Sequence, residues 1–222
     1  MSSRHPAKMG EFIGDGAVSY RLMEKPPGES DSITLQLQID YAEVPVPKFY
    51  YVADYFHVKN LNSSVLLLFG KLDDLETKGK LRTKLEISFP GIPFVTHLWK
   101  TSREFHGTLR TAVSRYKFEP EKPGPLIIET DKAQTITSNI VLMAMSGFDS
   151  LIDFYYLSPR ELFTKAKRGR ANIELEPLAR VILSPPMLLG FLDTCEGIVE
   201  SLSERFLLNE KEDDKHDNLE SN

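Results

Sequence analysis

The chain has few of the features that mark secreted, membrane-spanning or metal-dependent proteins. Its one cysteine, Cys195, rules out an intramolecular disulfide, and nothing points to an oxidising compartment. The first residues lack the apolar run of a signal peptide, and no window approaches the ~18 continuous apolar residues that a membrane span needs. We therefore expect a soluble, cytoplasmic protein with no membrane partner.

Motifs of common catalytic sites are also missing. The sequence contains no phosphate loop, no paired CxxC, no HExxH and no GxSxG. The histidines are scattered, and His97 and His106 fall on different faces of one predicted helix, so they cannot share a metal without a partner from elsewhere. We expect no cofactor, no metal site and no catalytic residue. An enzyme with a site assembled between two halves is the least favoured hypothesis.

Acidic residues outnumber basic ones overall, but positive charge is locally concentrated. The net charge of −5 argues against a general nucleic-acid binder. Two loops, 78–84 and 165–170, are nevertheless basic, and Asp73, Asp74 and Glu76 dilute the first. These loops either bind phosphates or an acidic partner, or carry ordinary solubilising charge. The residues that would form such a site are Lys80, Arg82, Lys165, Lys167, Arg168 and Arg170.

The apolar residues, at 41% of the chain, follow periodic patterns that predict strands and amphipathic helices. From Ile33 to Tyr41 apolar and polar residues alternate, which is typical of an antiparallel strand with one buried face. Further strands are predicted at 17–23, 50–59, 64–69, 81–89, 126–130, 135–145, 150–156 and 171–183. Helices are predicted from Pro90 to Tyr116, from the capping-box residue Ser158 to Lys167, and from Pro185 to Phe206. Cys195 lies on the apolar face of the last helix, so we expect a buried thiol and not a nucleophile.

The order of these elements repeats. Residues 54–69 align without gaps with residues 139–154, from Asp54 on Asn139 to Phe69 on Phe154. After a loop, Leu85, Ile87 and Phe89 align with Ala179, Val181 and Leu183. The pattern predicts an α+β fold of two tandem β-β-β-β-α units with antiparallel sheets, each closed by one long helix and related by a pseudo-twofold axis. Two unrelated units that both place strands before a helix are the alternative. The predicted boundaries are an N-terminal segment 1–30, units 31–118 and 126–208, a linker 119–125 and a disordered charged tail 209–222.

The second half also resembles a known family. The residues concerned are Asn139, the turn Ser146-Gly-Phe-Asp149, the strand Leu151-Ile-Asp-Phe154, Ala179-Arg-Val-Ile-Leu-Ser-Pro185, and a helix with Leu189 and Leu192. Together, over residues 139–206, they resemble prokaryotic domain of unknown function family 3467. Pro186-Met-Leu replaces the alanine-lysine of that family, and Glu204-Arg-Phe206 only approximates its final Tyr-Glu pair. The resemblance implies a fold and no activity.

Aromatic residues concentrate in the predicted strands, at Phe49-Tyr50-Tyr51, Tyr55-Phe56 and Tyr155-Tyr156. Such residues can stack bases or clamp peptides, although they more often pack inside the fold, which is the interpretation we favour. Strong structural patterning without clustered chemistry indicates a non-enzymatic protein-binding or assembly module, adaptor or chaperone-like, that presents sheet edges and helix faces. We expect a protein partner and a homo-oligomer such as a homodimer. The alternative is a nucleic-acid or nucleotide-associated protein that uses the two basic loops.

Overall fold

The computed structural model describes residues 12–14, 16–23, 35–61, 63–72, 80–94, 98, 100–114, 127–129, 133–146, 149–169 and 172–217, and this part of the chain is an α+β fold. Its strands are β1 (Val18–Leu22), β2 (Leu35–Ile39), β3 (Tyr50–Val52), β4 (Tyr55–Asn60), β5 (Ser64–Leu72), β6 (Lys80–Pro90), β7 (Ile127–Glu129), β8 (Gln134–Thr137), β9 (Ile140–Ser146), β10 (Asp149–Tyr156) and β11 (Glu176–Leu183). Its helices are α1 (Gly91–Pro93), α2 (Lys100–Ser114), α3 (Pro159–Lys167) and α4 (Pro185–Asp217).

Two sheets of mixed direction contain most of the described strands. In sheet I, β4, β5 and β6 form an antiparallel meander, and β7 and β8 both add parallel to β6. In sheet II, β9, β10 and β11 form a second antiparallel meander, and β3 adds parallel to β11. The α+β class is confirmed, whereas the expectation of purely antiparallel sheets is wrong. The parallel strands reach their partners through long connections, and alternation within a strand does not encode the direction of its neighbour.

Each meander is preceded by a strand that leaves one sheet and enters the other. The single strand predicted at 50–59 divides into β3 in sheet II and β4 in sheet I, and that predicted at 135–145 divides into β8 in sheet I and β9 in sheet II. At the second division the Asn139 side chain accepts from the Leu157 N–H and donates to the Leu157 carbonyl, each at 2.8 Å. These bonds satisfy backbone groups at the bend that no ladder reaches.

Bulges interrupt both meanders. The pairing of β5 with β6 shifts between Phe69 and Gly70, and that of β10 with β11 shifts between Phe154 and Tyr155. At the first bulge the backbones of β5 and β6 approach so closely that a Cβ on Gly70 would lie 2.2 Å from the Arg82 carbonyl oxygen. Only glycine fits there.

One core joins the two sheets and the helices. Alternate residues of the strands face it, namely Val65, Leu67, Phe69, Leu85, Ile87, Phe89, Ile152, Phe154, Ala179, Val181 and Leu183. Helix α4 contributes one apolar stripe, formed by Leu188, Phe191, Leu192, Cys195 and Val199. The Phe69 ring links the two halves, because it lies 5.9 Å from Phe154 and 5.7 Å from Phe191. The expected burial of Cys195 is confirmed, and burial raises the pKa of its thiol. Each large side chain buried here contributes roughly 1.5–3 kcal/mol of transfer free energy.

A second core covers part of the opposite face of sheet II. It contains the fully buried Val18 and Tyr20 of β1, Leu157, and Leu162 and Ala166 of α3. The Ser158 hydroxyl accepts from the Glu161 N–H at 3.3 Å, the N-cap bond expected from the capping box. The strand predicted at 17–23, within the N-terminal segment 1–30, is therefore confirmed as β1 and packs in this core.

The helices differ from expectation at their ends. Within the helix predicted from 90 to 116, the structure describes α1, Phe94, Leu98 and α2, and residues 95–97, 99, 115 and 116 lie outside the described residues. Helix α4 continues to Asp217, past position 209 where the sequence predicts a disordered tail, and α2 packs against α4. The glutamate, lysine and leucine residues beyond 209 favour a helix intrinsically, although their charge also suits a solvated tail. Within the described residues no helix combines the length and apolar character needed to cross a membrane.

Candidate interaction surface

Aromatic and aliphatic side chains are exposed around β3, at the edge of sheet II. Among the described strands β3 has one hydrogen-bonded neighbour, β11. Tyr50 and Val52 are 55% and 57% exposed. Tyr41, Val46 and Phe49 beside them are also exposed, and we call these five residues the β3 surface. An edge strand with large exposed apolar side chains is unusual for a free monomer surface.

Strand alternation explains which aromatic residues are exposed. Tyr51 points to the opposite face from Tyr50 and Val52, packs against the main core and donates its hydroxyl to Gln134. Tyr55 and Phe56 are half-buried, and Tyr155 is buried. The favoured interpretation of the aromatic residues as core is therefore confirmed for Tyr155 and wrong for Phe49 and Tyr50.

A buried ion pair lies next to the β3 surface. Asp153 of β10 and Arg180 of β11 are directly opposite in register, and Arg180 Nε and Nη2 each donate to a carboxylate oxygen at 2.6 Å. Asp153 is only 8% exposed. The Arg180 guanidinium carbon also lies 5.7 Å from the centre of the Tyr50 ring, within the range of a cation–π contact. The Arg180 guanidinium therefore contacts both the Asp153 carboxylate and the exposed Tyr50 ring.

The buried Tyr155 hydroxyl is a third member of the polar group that Asp153 and Arg180 form. Its hydroxyl oxygen lies 3.4 Å from Asp153 Oδ2. Burial raises the pKa of Tyr155, and the negative charge of Asp153 raises it further. The hydrogen bond to Asp153 raises the pKa of Arg180. The hydroxyl stays protonated and the guanidinium stays charged, so the group is a fixed set of donors around one carboxylate.

A cavity of about 210 Å³ separates the segment before β3 from sheet II. Its lining consists of Tyr41, Val44, Val46, Leu142, Met143, Ala144, Leu151, Asp153, Tyr155 and Arg180. Pockets for small molecules and cofactors generally measure ~300–1,000 Å³. This cavity is smaller and mainly apolar with polar groups at one end, so it suits one side chain of a partner better than a cofactor.

The predicted phosphate-binding residues are only partly described. Arg82 is exposed on β6, whereas the side chain of Lys80 and all of Arg170 lie outside the described residues. Lys165 is mostly buried and forms an ion pair with Glu161 one turn earlier. Lys167 and Arg168 are exposed at the end of α3, and a cavity of about 310 Å³ on this helix is lined by Ser158, Arg160, Glu161, Thr164, Lys165 and Arg168. Phosphate binding stays a prediction.

Sequence reasoning missed two clusters. Asp153 was a lone carboxylate in an otherwise apolar strand, and that interruption is the signal that could have identified it. His106 lies buried between α2 and α4, beside Asp193 and Arg110, and no local pattern relates residues so distant in the chain. The acidic residues Glu174 and Glu176 are exposed, while Asp73, Asp74 and His97 lie outside the described residues.

The chain matches no protein-family model, no curated protein and no solved structure.

Proposed function

We propose that this protein is a non-enzymatic binding module that engages an extended, apolar segment of a partner protein along β3 and the adjacent face of sheet II. The exposure of Tyr50 and Val52 on an edge strand is the observation that carries this proposal. In a parallel pair, alternate residues direct their backbone groups to the same side. Because Phe49 and Ala53 bond to β11, the backbone groups of Tyr50 and Val52 face the open edge.

The proposed partner adds a short strand to this edge. Strand addition obtains affinity from main-chain hydrogen bonds and specificity from pockets for alternate side chains. Here β3 offers three residues, Tyr50 and Val52 offer apolar contact, and the 210 Å³ cavity offers one side-chain pocket. Pro45 and Pro47 precede β3 and shorten the edge, which limits uncontrolled pairing with other copies of the chain.

We also propose that the chain is a doubled scaffold with a pseudo-twofold relation between its halves. Equivalent backbone bonds support this, since the Asp54 N–H donates to Gly70 and the Asn139 N–H to Tyr155, at 3.1 and 3.2 Å. The bulges fall at the aligned pairs Phe69/Gly70 and Phe154/Tyr155. Each half also contributes one strand to the sheet of the other half. Strand β3 of the first half joins β11 of the second, and β8 of the second half joins β6 of the first. Relationship of the second half to domain family 3467 is part of this proposal.

The test of the binding proposal uses an unfolded protein as the probe. Reduced, carboxymethylated α-lactalbumin with a fluorescent label exposes apolar segments, and its anisotropy reports binding. We expect the double variant Tyr50→Ser, Val52→Ser to bind at least ~10-fold more weakly, because truncation of one interface hot spot commonly costs ~2 kcal/mol or more. The control is Leu61→Ser, Phe163→Ser, which removes exposed apolar side chains outside the β3 surface. Equal losses in both variants, or no binding by the unaltered chain, would reject the proposal.

A second copy of this chain is a further partner that the same surface would suit. Sedimentation equilibrium of the unaltered chain and the Tyr50→Ser, Val52→Ser variant distinguishes this case. Dissociation of a dimer by the variant assigns the β3 surface to self-association. If both the unaltered chain and the variant are monomers, the proposed partner of the β3 surface is a different protein.

The alternative function is binding of nucleic acid or another phosphate-rich partner through the basic end of α3. The exposure of Lys167 and Arg168 next to the cavity lined by Arg160 supports it. We expect Lys167→Gln, Arg168→Gln to reduce the retention of labelled single-stranded RNA and to flatten its dependence on salt. Lys59→Gln, Lys71→Gln removes the same charge elsewhere and serves as control. Absence of retention at low salt would remove this alternative.

A further inference from the structure

Helices α2 and α4 meet at a cluster of ionisable side chains outside the β3 surface. His106 of α2 is only 6% exposed, and its Nε2 lies 2.8 Å from Asp193 Oδ1 of α4. Arg110 Nη2 lies 2.8 Å from the same oxygen and 3.3 Å from His106 Nε2. Glu196 follows Asp193 by one helical turn, which places it on the same face of α4. A buried imidazole therefore faces two carboxylates across the helix–helix contact.

We propose that His106, Asp193 and Glu196 form a binding site for a divalent transition metal, Zn²⁺ first among them. Each residue offers one ligand atom, and the three atoms lie within 4.8 Å of one another. One imidazole nitrogen and two carboxylate oxygens are a donor set that zinc accepts, with the fourth position left to water. The site is distinct from the β3 surface and does not depend on the proposed binding function.

Zinc binding requires the ligand atoms to rearrange. Bond lengths of ~2.0–2.2 Å place the ligand atoms of a tetrahedral ion roughly 3.3 Å apart. The His106 Nε2 to Asp193 Oδ1 distance of 2.8 Å would have to lengthen slightly. Asp193 is half-exposed and Glu196 is partly exposed, so both carboxylates can rotate while the buried imidazole stays in place.

Arg110 is the group that competes with the metal. Its guanidinium bonds the carboxylate oxygen that would ligate, and it places a positive charge beside the nitrogen that would ligate. A guanidinium cannot lose its proton in a protein, so it must leave for a cation to enter. The Arg110 side chain is 63% exposed and can turn into solvent. Removal of this side chain should therefore strengthen metal binding.

Ligand type selects the metal. Imidazole favours zinc, copper and nickel, whereas Mg²⁺ and Ca²⁺ prefer sites made only of oxygen atoms. A bound ion would also connect α2 to α4. Because the unfolded chain lacks this arrangement, binding should raise the thermal midpoint of unfolding, and the midpoint should rise further as the zinc concentration increases.

The experiment is a calorimetric titration of the full chain, purified without a histidine tag, with Zn²⁺ and separately with Mg²⁺. We expect one zinc ion per chain, no binding of Mg²⁺ at the same concentration, and a thermal midpoint that rises with zinc. Glu196→Gln should weaken zinc by more than ~100-fold, since even changes behind the ligands cost roughly 10- to 100-fold. Arg110→Gln should tighten it.

The control is Glu200→Gln, which removes the same charge from an exposed position of α4 outside the cluster. It should leave zinc affinity unchanged. Equal weakening by Glu196→Gln and Glu200→Gln would show general attraction to acidic surface and overturn the proposal. So would weaker binding after Arg110→Gln, or no zinc binding by the unaltered chain. All three substitutions replace partly or fully exposed side chains, so the fold is retained and each outcome is decisive.

Discussion

Arg180 and Asp153 face each other across β11 and β10, and two parallel hydrogen bonds of 2.6 Å join the guanidinium to the carboxylate. The pair lies where the covered part of sheet II meets the open part around β3. The Arg180 guanidinium neutralises the Asp153 carboxylate, which would be costly to bury alone in the apolar sheet. The guanidinium also lies close to the exposed Tyr50 ring. Stability of sheet II and geometry of the proposed binding surface therefore depend on the same two side chains.

Loss of one partner of this pair should be costly. Arg180→Met leaves the carboxylate of Asp153 buried without a counter-charge, which typically costs ~3–5 kcal/mol. The double variant Asp153→Leu, Arg180→Met keeps the volume without any charge and should recover most of that loss. Urea unfolding of both variants measures the difference. A cost below ~1 kcal/mol for Arg180→Met would mean that water reaches Asp153 in solution.

Gly70 should not accept a side chain. A methyl group would meet the backbone of Arg82 on the neighbouring strand, which cannot move aside without breaking the ladder. We expect Gly70→Ala to lower the free energy of unfolding by ~1–3 kcal/mol. Gly107→Ala is the matched control, because Gly107 lies exposed in α2 with open space around its Cα. That substitution should stabilise the protein by up to ~1 kcal/mol through helix propensity.

Removal of a buried hydroxyl on β6 should stabilise the chain. Thr83 is only 3% exposed, and its hydroxyl oxygen has no hydrogen-bond partner among the residues that the structure describes. Thr83→Val keeps the shape and replaces the hydroxyl with a methyl group, so we expect a gain of about 1 kcal/mol in urea unfolding. Thr137→Val on the exposed side of β8 should change stability by less than ~0.5 kcal/mol. A loss at Thr83 would reveal a bound water at its hydroxyl.

His57 should make stability depend on pH. Burial, and then the positive charge of Lys59, lower the pKa of His57 below its ordinary value of about 6.5. As the pH falls below ~6.5, the unfolded chain takes up a proton that the folded chain does not, so the free energy of unfolding decreases until the pH passes the folded pKa. Urea unfolding at pH ~7.5 and ~5.5 should therefore show a smaller decrease for His57→Gln than for the unaltered chain. Lys59→Gln should give an intermediate decrease.

Local sequence was sufficient to predict a helix or strand wherever one face of that element meets the core. The alternation in β6, the Ser158 cap of α3 and the apolar stripe around Cys195 all predict the observed elements, because periodicity depends only on which face is buried. In β2 the alternation predicts the strand, but the expected burial of one face is wrong, because Leu37 and Tyr41 are exposed. Strands 50–59 and 135–145 show the limit. Each has one continuous apolar pattern, but its two parts join different sheets, and only the pairing partners decide where the strand bends.

The two clusters illustrate the same limit in chemical terms. Asp153 and Arg180 are far apart in sequence, and register across a ladder makes them a pair. His106 and Asp193 meet only because α2 packs against α4. Their chemistry depends on distance and dielectric, which no spacing along the chain encodes.

The sequence by itself determined the α+β class, the strand-rich order of each half and the burial of Cys195, since backbone propensity and the hydrophobic effect act residue by residue. Only the tertiary structure decided that β3 and β8 join parallel to distant strands, that Tyr50 is exposed while Tyr51 is half-buried, and that His106 faces Asp193 and Glu196. These outcomes depend on which elements of the whole chain pack against one another. That packing is decided by the free energy of folding summed over all contacts, and no local segment determines it alone.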